Sequence, residues 1–120
     1  MSAQTNRSHT SRHDNAEQEE LDRILISASQ SQTLQMMEDA IDSGANINAH
    51  DTKGRSALHN VASRGFTSAL RSLISRDAEI DARDDSGRTP LHLAVQGGTV
   101  ELVTALLDAG AEIDAQDKGG

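Results

Sequence analysis

Residues 84–116 read DDSGRTPLHLAVQGGTVELVTALLDAGAEIDAQ, and residues 51–83 read DTKGRSALHNVASRGFTSALRSLISRDAEIDAR. The two stretches align without a gap, and 12 of their 33 positions are identical, from Asp51/Asp84 to Ala82/Ala115. Moving back by the same 33 residues gives 18–50. There Leu25, Ala28, Gly44, Ala45, Ile47 and Ala49 fall on Leu91, Ala94, Gly110, Ala111, Ile113 and Ala115. Moving forward opens a fourth copy at 117, DKGG against DDSG. A fixed period of this length is the mark of a stacked-repeat protein.

One copy is legible as a pair of helices. Thr89 can cap a helix start and Pro90 suits its first position. Leu91, Ala94 and Val95 then share one face, and Gly97-Gly98 ends the element. A second helix carries Leu102, Val103, Leu106 and Leu107. That spacing recurs as Ala69, Leu70, Leu73, Ile74 and as Met36, Met37, Ala40, Ile41. Gly44 and Gly110 mark a left-handed end to this helix, and Asp77 takes their place in the middle copy at some cost. NINAHDTKG, EIDARDDSG and EIDAQDKGG follow, each a short extended stretch running into a hairpin-like polar turn. So small a helix pair cannot bury its own apolar faces and must stack on a neighbour.

Composition narrows the chemistry. The chain has 120 residues, no Cys and a single aromatic, Phe66. A disulfide scaffold, a thiol nucleophile and a zinc finger are excluded. Leu, Ile, Val, Ala and Met must build the core, which favours close-packed helices. No apolar run is long enough to span a bilayer, and MSAQTNRSHTSRH has no secretory apolar segment, so the cytoplasm or nucleus is expected. A formal net charge of −8 argues against general nucleic-acid binding.

TPLHLAVQGG at 89–98, LLDAGAEIDA at 106–115 and DDSGRTPLH at 84–92 resemble ankyrin repeats. The resemblance covers 18–120 and implies an all-α ankyrin-repeat solenoid, each repeat a β-turn and two antiparallel helices. The expected division is a disordered polar tail over 1–14 and a repeat domain over 15–120. Its repeats lie at about 18–50, 51–83 and 84–116, with an incomplete fourth from 117. The first copy lacks the TPLH motif, reading RILI at 23–26, and suits a terminal cap with Glu17, Gln18, Glu19, Glu20, Asp22 and Arg23 outward. Asn15 and Gln18 have capping-box spacing, which predicts a first helix from near Ala16. No polar cap closes the C-terminal end. The expectation is a fragment or truncated gene product, or another repeat, chain or copy covering that face.

The implied function is a non-catalytic scaffold or adaptor that binds a partner protein on the concave side. The alternative is a regulatory segment of a larger enzyme or signalling protein. Turn tips and the first helix's inner face would supply the contacts: Lys53, Arg55, Ser63, Arg64, Asp85, Arg88 and Gln96. By segment the net charge is −5 over 18–50, +2 over 51–83 and −5 over 84–116, counted from the sequence. Lys53, Arg55, Arg64 and Arg88 would thus form a positive patch for an acidic partner segment.

No catalytic dyad, phosphate loop or cofactor motif is present in the sequence, and no metal site is expected. His9 and His13 have helical i, i+4 spacing without a third ligand of fixed geometry. His59 and His92 each follow a hydroxyl residue by three positions. Both are read as structural, bonding Ser56 and Thr89 at the helix start. Asp81, Asp84, Asp85, Asp114 and Asp117 are read as turn and cap residues. Asn60, opposite Leu93 in the period, is read as a partly exposed substitution or as a partner contact.

Overall fold

The computed structural model of the chain describes residues 2–113, with side chains from Ala16 onward. Its helices are α1 (Ser2–Ser31), α2 (Leu34–Asp42), α3 (Ala57–Arg64), α4 (Thr67–Ser75), α5 (Pro90–Gly97) and α6 (Val100–Asp108). Two layers result. α1, α3 and α5 pack in succession, and α2, α4 and α6 form the second row. There is no strand among the described residues. The hairpin-like turns reduce to one antiparallel bridge, His50 to Ser56.

Local chemistry sets the helix boundaries of the first row. Thr89 and Ser56 are N-caps in extended conformation, each accepting the N–H three residues on. Pro90 fills the first helical position. Gly65 and Gly98 end α3 and α5 at φ +73° and +71°. Helices α2, α4 and α6 have no side-chain cap. Burial against the first row, not capping, has to hold them.

The period is also a ladder of burial. Leu25, Leu58 and Leu91 are buried at successive steps, as are Ala28, Val61 and Ala94 in the first row. Ala40, Leu73 and Leu106 do the same in the second. Each fully buried leucine contributes on the order of 1.5–3 kcal/mol. Leu58 and Leu91 thus occupy equivalent environments, as a repeat requires.

The N-terminal helix departs from expectation. It begins at Ser2, so Ala16 lies inside α1 and the Asn15–Gln18 capping box does not form a helix start. Gln18 Nε2 donates instead to Asp22 Oδ1 (2.9 Å) and to the Gly44 carbonyl (3.0 Å). No Gly or Pro precedes Gly44, so a nucleated helix extends at one hydrogen bond per residue fixed. The side chains of 1–14, read as a tail, lie outside the described residues. Glu17, Gln18, Glu19, Glu20 and Arg23 are exposed, as a polar end face needs.

Behind α2, α4 and α6 the chain turns through positive φ: Gly44 at +115°, Asp77 at +67° and Gly110 at +97°. Only Asp77 carries a Cβ there, and its side chain is exposed. Asp77→Gly is therefore expected to raise stability by up to about 1 kcal/mol, read as a higher urea midpoint.

Candidate partner-binding face

Each turn between repeats is organised by one aspartate. Asp51 Oδ1 accepts from the N–H groups of Lys53 (2.8 Å) and Arg55 (3.0 Å). Asp84 Oδ1 does the same for Ser86 and Arg88, both at 2.9 Å. The short carboxylate satisfies backbone donors that the turn leaves unpaired. The capping and turn role read for Asp84 is what the structure shows. Asp81 acts differently, its Oδ1 accepting from Glu112 N one repeat on (3.0 Å). Asp114 and Asp117 lie outside the described residues.

The two tips are joined to one another. Asp85 N–H donates to the Lys53 carbonyl at 3.0 Å. Gly54, at φ +76°, lies so close that a Cβ would stand 2.5 Å from Asp85 Oδ1 and 2.9 Å from its backbone nitrogen. Here glycine is needed both for its conformation and for the close approach. Arg55 Nε lies 3.4 Å from Asp84 Oδ2. The Asp84 side chain is only 3% exposed, so this guanidinium is committed to a buried carboxylate. Burial pushes the Asp84 carboxyl up. The N–H groups of Arg88 and Ser86 outweigh it, with His59 and Arg55 adding to them, and its pKa is lowered.

Beneath the tips, His59 ties the repeats together. Its Nδ1 accepts from Ser56 N–H (3.1 Å) and lies 3.0 Å from Ser56 Oγ. Its Nε2 is 2.7 Å from the Arg88 carbonyl, one repeat on. A carbonyl only accepts, so Nε2 carries the proton and the ring is neutral. Burial lowers the His59 pKa, and the Arg88 carbonyl and Asp84 offset only part of that. The structural reading of both histidines holds, since His92 Nδ1 accepts from Thr89 N–H at 2.9 Å. Sequence spacing missed the cross-repeat bond, because it depends on which carbonyl the stacking brings opposite Nε2.

Lys53, Ser63, Arg64, Asp85 and Gln96 are exposed, whereas Arg55 and Arg88 are half-buried. Lys53 and Arg55 sit before α3 and Arg64 at its end. The eight residues of α3 span about 12 Å at about 1.5 Å per residue, so the cations form a strip rather than a cluster. Ser63 and Gln96 hold matching places at the ends of α3 and α5. Asn60 fits neither reading made of it. It is buried, and its Nδ2 donates to Ser29 Oγ (3.1 Å), itself fully buried. Position 29 is not a period step from 60, so the alignment could not reveal the pair. A groove of about 880 Å³, also missed, lies beside the tips, lined by Asp22, Arg23 and Ile26 of α1 and by Asn48, His50 and Thr52. The sequence treated that repeat only as a cap.

A family model of three ankyrin repeats matches residues 25–117. The chain belongs to the ankyrin repeat family. Ankyrin repeats generally mediate protein–protein interactions and are typically non-catalytic. No curated protein matches the chain closely enough to count as a relative. Among the described residues no helix is long and apolar enough to cross a membrane. Nor do three metal-ligating side chains gather among them. The side chains of His9 and His13 lie outside that set.

Two measurements probe this ankyrin framework. The unfolded chain takes up a proton at His59 as pH falls below about 6.5, and the folded chain resists it. Stability should therefore be full above that pH and decline towards pH 5. Asp84 contributes only at lower pH, its share being lost as pH falls through and below about 3.8. His59→Gln should cost roughly 1–3 kcal/mol at pH 7 and flatten the decline, followed by urea unfolding at several pH values. In the second, Asn60→Leu removes the hydrogen bond that Ser29 Oγ accepts, while its donation to the Ile26 carbonyl (2.6 Å) remains, and should cost about 1 kcal/mol. Adding Ser29→Ala should recover most of that in a double-mutant cycle.

Proposed function

We propose that the chain is a non-catalytic scaffold or adaptor that grips a partner protein on the concave side of the array. The tips and inner-helix ends supply the contacts: Lys53, Ser63, Arg64, Asp85 and Gln96 directly, with Arg55 and Arg88 shaping the platform beneath. The supporting observation is the bonded pair of tips. The Asp85–Lys53 backbone bond and the contact at Gly54 fix side chains that point into solvent. A preorganised polar surface loses little entropy on binding. The strip of cations lies in the basic middle repeat between two acidic ones, which suits an acidic segment of the partner. Repeats at 18–50, 51–83 and 84–116 and a cytoplasmic or nuclear setting belong to the same reading.

The test spares Arg55, because reversing it would set two negative charges against each other at buried Asp84. Lys53→Glu with Arg64→Glu should leave the unfolding midpoint within about 0.5 kcal/mol of wild type. It should weaken an acidic Glu/Asp peptide by roughly tenfold at low salt and remove most of its salt dependence, by fluorescence anisotropy. Unchanged affinity and unchanged salt dependence would reject the strip as a docking site.

A further inference from the structure

We propose that the groove beside α1 receives an arginine side chain of the partner protein, with its guanidinium on Asp51. This partner is the protein gripped in the scaffold reading, on which the assignment rests. The residues involved are not those of the cationic strip.

The junction between the second and third repeats shows what such a place holds. There Arg55 Nε meets Asp84 Oδ2 at 3.4 Å, while Asp84 Oδ1 organises its own turn. His59 lies beneath and bonds the Arg88 carbonyl. One period earlier, Asp51 stands for Asp84, Asp22 for Arg55 and Ile26 for His59. Asp51 keeps its half of the arrangement, since its Oδ1 accepts from the N–H groups of Lys53 and Arg55. Among the described residues its Oδ2 has no partner. At the place of Arg55 the chain carries a second carboxylate, and Asp22 Oδ1 is occupied by Asn46 N–H (2.7 Å) and Gln18 Nε2 (2.9 Å). The first junction thus has the acceptor of the second without its cation.

The course of α1 makes room for that cation. In the middle repeat residues 52–56 form a tip that bonds the next one. The matching residues 19–23 are helical instead, and a groove of about 880 Å³ lies between this helix and the turn that follows α2. Its walls are Glu19, Asp22 and Ile26 on α1 and Asn48, Ala49 and Asp51 on the turn. Both walls belong to the first repeat, so the groove is not an end face of the stack. Its volume is at the upper end of those that enclose a drug-sized ligand, enough for a side chain and its neighbours in an extended segment. Ile26 and Ala49 give the methylenes of an arginine an apolar floor.

Charge and shape select the occupant. Glu19, Asp22 and Asp51 place three carboxylates on the groove. Arg23 also lines it, but its Nη1 is bound to Glu20 Oε1 at 2.9 Å, outside the groove. A guanidinium suits the turn better than an ammonium, because its planar fork matches a carboxylate and Asp84 already holds one through Nε. A segment with an acidic run over Lys53 and Arg64 and an arginine towards α1 meets both charges in order.

The probe is a fluorescein-labelled peptide, Gly-Ser-Leu-Arg-Leu-Ser-Gly, beside the same peptide with citrulline, which keeps the shape and loses the charge. By fluorescence anisotropy against the 120-residue chain, the arginine peptide should bind at least about tenfold more tightly. Asp51→Asn keeps an oxygen for the Lys53 and Arg55 N–H groups and should lower the affinity about tenfold. Should that variant unfold, Glu19→Gln at an exposed site should lower it about threefold. Glu79→Gln changes net charge equally elsewhere and should leave it unchanged. Amide shifts on binding should concentrate at Ile26 and from Asn48 to Thr52. Equal binding of the two peptides, equal effects of Glu19→Gln and Glu79→Gln, or shifts along α3 instead would overturn the proposal. So would N-acetylarginine amide binding as tightly as the peptide, which would make the groove a small-molecule pocket. The Lys53→Glu, Arg64→Glu variant should lose the acidic peptide and keep this one, so failure of the strip is distinguishable from failure of the groove.

Discussion

Helices of eight and nine residues cannot bury both of their apolar faces, and α2 to α6 are all of that size. Everything else in this protein follows from that shortage. Leu25, Leu58 and Leu91 are each withdrawn from water only because another slice lies beside them. A slice is therefore not a stable object, and the array is held by its interfaces. Most of these contacts are apolar and indifferent to direction. The His59 imidazole is one of the directional links, beside Asp85–Lys53, Arg55–Asp84 and Asn60–Ser29, since one ring caps its own helix and holds the carbonyl of the next repeat. Together they convert sliding apolar contact into a fixed register.

The polar groups buried along the stack reinforce this. Asp84 receives two backbone N–H groups and the Arg55 guanidinium. A buried carboxylate without such partners would be costly. Its network sits directly below the Lys53 and Asp85 tips. This buried, hydrogen-bonded cluster is thus the floor of the candidate binding surface. Arg55 illustrates the division of labour, because a residue that counts as a surface cation by charge alone is bound to that floor.

The two ends of the array have different characters. At the N-terminal end α1 is long and turns glutamates outward, and Gln18 fastens it to Gly44. At the other end the same period that buries Ala62 exposes Val95. Leu107 and Ile113 are exposed where Ile41, Ile74, Ile47 and Ile80 are half-buried, so at these places the contrast is one of position in the stack rather than of composition.

The sequence by itself determined the fold. The interval of 33, the Thr-Pro and Ser-Ala helix starts and the glycines after α3 and α5 each act within a few residues, so they are readable along the chain. Asp77 at positive φ and the hydroxyl–histidine pairs were legible for the same reason. The long α1 was not, because helix extension depends on cooperativity rather than on one cap. Only the tertiary structure decided that Asn60 is buried on Ser29, that Arg55 is taken by Asp84, that His59 reaches Arg88, and that a groove lies beside α1. These partners stand about one repeat apart in sequence but off its exact step, or on different elements altogether. Their contact is fixed by how slices seat on one another, and a one-dimensional period carries no information about that seating.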